Sequence, residues 1–228
     1  MTLTLHAVCF DANDPLRLAK FWAGVLGWTP DGETLLPADD TGFRIRFVHT
    51  AEKKSVKNHA HFDLTSTSLE NQRETVAKAL ELGGGQIDIG QGPEEEHVVL
   101  ADPEGNEFCV IEPGNDFLAD CGFVGALACD GSQEVGYFWS KALEWPLVWD
   151  QDQETAIRSP HGGPKITWGG PPFDAKTEKR RVRFALRGLL PDVDRLVSLG
   201  ATRLGTGGDG QVEMADPDGN EFSVVVSG

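Results

Sequence analysis

The stretch ADPEGNEFCVIEP, from Ala101 to Pro113, recurs nearly unchanged as ADPDGNEFSVVV from Ala215 to Val226. Asp-Pro followed by Gly-Asn is turn chemistry: proline presets φ early in the turn, and glycine and asparagine tolerate positive φ later in it. The residues after each turn are apolar and partly β-branched, so each copy reads as a hairpin turn feeding a strand. The copies lie 114 residues apart, from Ala101 to Ala215, which is half of the 228-residue chain. A repeat of that period makes the chain one unit written twice. The copies differ at their ends, where Glu112 of the first is matched by Val226 of the second.

The rest of the chain obeys the same period. LTLHAVCF (3–10) reads as a strand; simple alternation puts Leu5, Ala7 and Cys9 on one face and Thr4, His6, Val8 and Phe10 on the other. A helix follows, with Asp14 as N-cap, Pro15 at its first position, an apolar stripe of Leu18, Ala19, Trp22, Val25 and Leu26, and Gly27 as its stop. Strand-like pieces cover 34–37 and 43–50. HAHFDL (59–64) is the next strand, with His59, His61 and Asp63 on one face. A helix over 69–82, capped by Ser68, leads to further strands and the first DPEGN turn. After a joint at 113–120, GALACD (125–130) answers HAVCFD (6–11), and Phe138-Trp139 answers Phe21-Trp22. RVRFAL (181–186) answers HAHFDL. Each half therefore reads β-α-β-β-β twice, giving domains at 1–115 and 119–228.

Composition narrows the function. A formal net charge of −16 disfavours nucleic acid and anionic membrane surfaces as partners. The sequence shows neither a signal peptide nor an apolar run of spanning length, so a cytoplasmic location is expected. The four cysteines form no CxxC pair, and Cys9 and Cys109 read as buried, reduced core thiols.

The helix start Asp14-Pro15 with Phe21-Trp22 and Leu26-Gly27-Trp28, the segment His61-Phe62-Asp63-Leu64, and the turn Asp102 to Phe108 carry a resemblance. Together they resemble the vicinal oxygen chelate superfamily of glyoxalases, bleomycin- and fosfomycin-resistance proteins and extradiol dioxygenases, in its tandem bacterial form. The resemblance implies an α+β fold of two tandem glyoxalase-like domains, each made of two βαβββ modules that form a curved-sheet cup with helices outside. It also implies a divalent metal (Fe, Mn, Zn or Ni) held by His6, His61 and Glu112. Two imidazoles and a carboxylate with open positions suit such ions. On the alternation above, His6 lies opposite Leu5, Ala7 and Cys9. His61 lies opposite Phe62 and Leu64, and Glu112 opposite Cys109 and Ile111, so all three would point away from the helices. Two pairings of modules stay open: each cup built within one half, or across the halves, which would separate His6 from His61 and Glu112. In the second half Gly125, Arg183 and Val226 take the three ligand positions and can hold no metal.

The expected substrate is a small oxygen-chelating molecule, with Arg44, Arg46, His49, Trp28 and Arg183 as binding residues. Glyoxalases supply a second carboxylate from a late strand of the first module. FRIRFVHT (43–50) has none, which argues against methylglyoxal isomerisation. Extradiol cleavage would want a tyrosine over the substrate, and Tyr137 falls in the second half. The alternative function is metal-free binding of a drug or aromatic metabolite, by a monomeric pseudo-dimer or a homodimer. No individual catalytic residue emerges.

Overall fold

The computed structural model describes residues 3–37, 42–90, 92, 94–172 and 176–227. The first module runs β1 (Thr4–Ala12), α1 (Pro15–Leu26), β2 (Thr29–Asp31), β3 (Thr34–Leu36) and β4 (Arg44–His49). The second runs β5 (Ala60–Leu64), α2 (Leu69–Glu81), β6 (Gly85–Gln86), β7 (Val98–Ala101) and β8 (Glu107–Val110). The third has β9 (Val124–Cys129), α3 (Gln133–Leu143), β10 (Leu147–Gln151), β11 (Glu154–Arg158) and β12 (Lys165–Trp168). The fourth has β13 (Val182–Gly188), α4 (Leu190–Leu199), β14 (Thr202–Thr206), β15 (Val212–Ala215) and β16 (Glu221–Val226).

Local chemistry sets the helix ends. The Asp14 side chain accepts the Arg17 N–H, Pro15 occupies the first turn, and Gly27 closes α1 at φ 71°. Ser68 and Ser132 cap α2 and α3 in the same way, by accepting the Asn71 and Val135 N–H groups.

Among the described residues, sixteen strands form two open eight-stranded sheets. Sheet one has the order β14-β15-β16-β13-β1-β4-β3-β2, and sheet two the order β10-β11-β12-β9-β5-β8-β7-β6. Each sheet thus joins a module from one half to a module from the other. Sheet one unites the first and fourth modules through antiparallel β1 and β13; sheet two unites the second and third through antiparallel β5 and β9. Of the two pairings open in the sequence, the structure adopts the one that crosses the halves.

One continuous apolar core serves both sheets. Trp22 of α1 lies 6.5 Å from Phe10 of sheet one and 5.6 Å from Phe62 and 4.9 Å from Phe108 of sheet two, between ring centroids. The large side chains Val8, Phe10, Phe62, Leu64, Phe108 and Val110 all face this core. On β1, β8 and β9 the opposite, open face carries small apolar residues: Ala7, Cys9, Cys109, Ala126 and Ala128. Here the alternation read from the sequence needs correcting. β1 has an irregularity between Leu5 and Ala7, opposite Leu186 and Ala185. A bulge adds a residue to one strand and breaks strict alternation. It turns His6 to the open face with Ala7 and Cys9, and Val8 and Phe10 to the core.

The duplicated turn ties the halves' modules together across the core. Asp102 accepts the Glu104 and Asn106 backbone N–H groups and also the Trp22 indole N–H. Glu104 accepts the N–H groups of Asn13 and Asp14 at 2.7 and 2.6 Å, just ahead of α1. In the second copy Asp216 takes the Trp139 indole and Asp218 takes Ser132. The acids of both turns are therefore occupied in holding a helix of one sheet's module to a hairpin of the other.

Candidate functional site

The structure does not bring His6, His61 and Glu112 together. His6 is on β1 in sheet one, near Arg187, whose Nη2 lies 3.5 Å from its Nε2. His61 is on β5 in sheet two. Glu112 follows β8 beyond its last residue and accepts the Asn115 side-chain amide at 3.1 Å. It borders a surface pocket of about 420 Å³ together with Thr65, Ser66, Asn115 and Asp116. The position equivalent to His6 in the third module, Gly125, has no room for a side chain: a Cβ there would lie 2.7 Å from Thr65 Cγ2 and 3.0 Å from Leu118 Cδ1.

The open face of sheet two assembles a different set. Residues opposite one another in register share a face. Asp63 pairs with Cys109 on β8 and with Ala126 on β9, which pairs in turn with Lys165 on β12. His61 pairs with Ala128, which leads through Thr167 and Ala156 to Trp149. One ligand atom each from His61, Asp63 and Cys109 lie within 4.8 Å of one another. His61 Nε2 is 3.4 Å from Asp63 Oδ1, and these side chains keep 25% and 18% of their exposure, so a solute can reach them. Burial disfavours the His61 imidazolium, but hydrogen bonds to Asp63 and Cys109 outweigh it and raise the pKa to about 10. The turn at Asp116–Leu118 overhangs this face: the Lys165 ammonium sits 4.2 Å from the Phe117 ring centroid, and Phe117 meets Trp149 edge-on at 5.4 Å.

The open face of sheet one is basic. Arg183, Cys9 and Arg46 form one row across β13, β1 and β4; Ala185, Ala7 and Arg44 form the next. Arg183 is committed to Asp11 through two bonds of 2.7 and 2.6 Å. Of the other expected binding residues, Trp28 packs against the core. His49 alternates with the buried Ile45 and Phe47, away from Arg44 and Arg46. Neither belongs to the open face.

The family model described as a glyoxalase-like domain matches residues 7–111 and again 125–225. This chain belongs to the glyoxalase-like domain family. Among solved structures, the fold of this glyoxalase-like chain is similar to glyoxalase I from Zea mays, with TM-score 0.66 and 13% identity over 99% of this chain and 92% of that one. A V278E mutant of the maize protein gives TM-score 0.67 at 15% identity, again over 99% and 92%. A putative dioxygenase from Bacillus subtilis gives TM-score 0.63 at 14% identity, over 99% of this chain and 85% of that one. At these identities the likeness establishes the fold. A search of curated proteins by sequence found no match.

Sequence reasoning missed Asp63 and Cys109 as partners of His61. The signal for Asp63 was present, because it sits two residues from His61 on the same face. Cys109 was read as a core thiol. It is buried, but on the open-face side of β8, opposite Asp63.

Proposed function

We propose that this glyoxalase-like protein is a divalent-metal-dependent enzyme whose ion is held on sheet two by His61, Asp63 and Cys109, and that it acts on a small substrate through oxygens that reach that ion. The observation that supports this reading is the convergence of three different donor atoms within 4.8 Å on an open face. An imidazole, a carboxylate and a thiolate are all ligands that zinc accepts, and three protein donors leave a position for substrate or water. The donors come from adjacent paired strands, β5 and β8, so their backbone spacing is fixed by the ladder. When bound, the ion would supply Lewis-acid polarisation of a substrate oxygen. The chain's own residues add the surroundings. Phe117 and Trp149 offer an apolar wall, and Lys165 places a cation in the Asp63 row. The halves 1–115 and 119–228 are on this reading units of sequence, while the working unit is the sheet to which each contributes a module.

Cobalt(II) titration of the metal-free chain tests it. Saturation by a single equivalent, with a near-ultraviolet thiolate-to-cobalt charge-transfer band that disappears in Cys109→Ser, is expected. The absence of that band in the wild type contradicts it.

A further inference from the structure

The chain carries 36 acidic residues against 20 lysines and arginines, so an arginine placed at random on its surface finds a carboxylate easily. Arg183, Arg187, Arg44 and Arg46 share the open face of sheet one with Asp11, Asp31, Glu213 and Glu221, placed there by register. Asp11 is taken up by Arg183, Glu221 by Lys176, and Glu213 accepts the Gln211 side-chain amide at 2.8 Å, while Asp31 stands on the edge strand β2, two strands from Arg46. Among the described residues, Arg44 and Arg46 make no side-chain hydrogen bond or ion pair, and the Arg187 guanidinium touches only His6.

The floor beneath these arginines is small. Ala7 and Ala185 face each other across β1 and β13, and Cys9 lies next in line. Arg44 and Arg46 point the same way from β4, about 6.6 Å apart along the strand. Arg187 stands two residues beyond Ala185 on the same face of β13. Guanidinium groups of like charge on one sheet face repel each other unless an anion lies between them. The planar fork of arginine matches carboxylate and phosphate oxygens in pairs. His6 stands among them; burial, then Arg187, Arg44 and Arg46, lower its pKa, which keeps the imidazole neutral.

We infer that the open face of sheet one is a second, metal-free site for a small molecule bearing a carboxylate or phosphate group, held by Arg44, Arg46 and Arg187 with His6 at its edge. In a chain of net charge −16 this local cationic patch favours a small anion over an extended polyanion. The site uses none of the residues assigned to the metal on sheet two.

The test is isothermal titration calorimetry of the full chain, stripped of metal by chelation, with inorganic phosphate and separately with malonate at constant ionic strength set by chloride. Saturable binding of at least one of them is expected, weakened by about tenfold in Arg44→Gln or Arg46→Gln and lost in the double variant. His61→Ala should bind as the wild type does, which separates this site from sheet two. The double variant should unfold at the same temperature as the wild type or higher, because a repulsion has been removed. No saturable binding above chloride, equal binding by the double variant, or loss of binding in His61→Ala would each overturn the assignment. Phosphate binding without malonate binding, or the reverse, identifies which anion the forks accept and supports it.

Discussion

The indole N–H of Trp22 donates to the Asp102 carboxylate across 3.1 Å, joining a helix that follows a strand of sheet one to a hairpin of sheet two. Trp139 repeats the bond to Asp216 at 3.2 Å. These bonds explain why the DP-acid-GNE turn is written twice. Sheet pairing crosses the halves, so within each half the two modules have no shared ladder. The turn and the aromatic core hold them together instead.

Trp22→Phe keeps most of the apolar contact and leaves one Asp102 oxygen short of a buried donor. The expected cost is about 1–3 kcal/mol. Trp139→Phe should cost a similar amount, since the geometry is the same. Urea denaturation of both variants checks this; a large effect in one half alone would show that the halves are not equivalently joined.

Burial raises the Asp216 carboxyl from 3.8 to about 6, even though Asn220 and Trp139 donate to it. Asp102 is raised for the same reason. The folded chain therefore holds this proton more tightly than the unfolded chain. The resulting stabilisation is complete below pH 3.8 and is lost as pH rises through about 6. A shift of this size corresponds to about 3 kcal/mol at most. Asp216→Asn has no such proton, so its stability relative to wild type should improve steadily between pH 4 and 6. A constant difference across that window would refute the assignment.

Arg183 and Arg46 lie in one row with Cys9 between them, yet they should respond oppositely to truncation. Arg183→Ala strands a mostly buried Asp11 carboxylate and should cost roughly 3 kcal/mol. Arg46→Ala removes an exposed side chain with no partner among the described residues and should change stability by less than about 0.5 kcal/mol. Thermal unfolding of both variants, with Asp11→Asn to complete a double-mutant cycle, measures the contrast.

Much of the fold was legible because its signals are local. Asp14, Pro15 and Gly27 mark α1, Ser68 marks α2, and the repeat itself dictates two equivalent halves. The ligand set was not legible, for two physical reasons. Strand pairing between distant modules leaves no local trace, so His6 could not be assigned to His61's sheet or to the other one. Face assignment also failed where apolar residues were treated alike. Ala7, Cys9 and Cys109 are apolar but small, and they floor the open faces. Phe10, Phe108 and Val110 are large and fill the core. Ranking the two faces by side-chain volume would have put Cys109 beside His61. The β1 bulge then corrects His6, and only the three-dimensional register reveals it.

On the proposed reading the metal is held on sheet two alone. Metal content, measured by plasma mass spectrometry on protein purified without a metal-affinity tag, tests it most directly in wild type, His6→Ala and His61→Ala. A single equivalent of divalent metal is expected in the wild type and in His6→Ala, and none in His61→Ala. Metal lost from His6→Ala, or absent from the wild type after reconstitution with zinc, iron, manganese and nickel in turn, would contradict it.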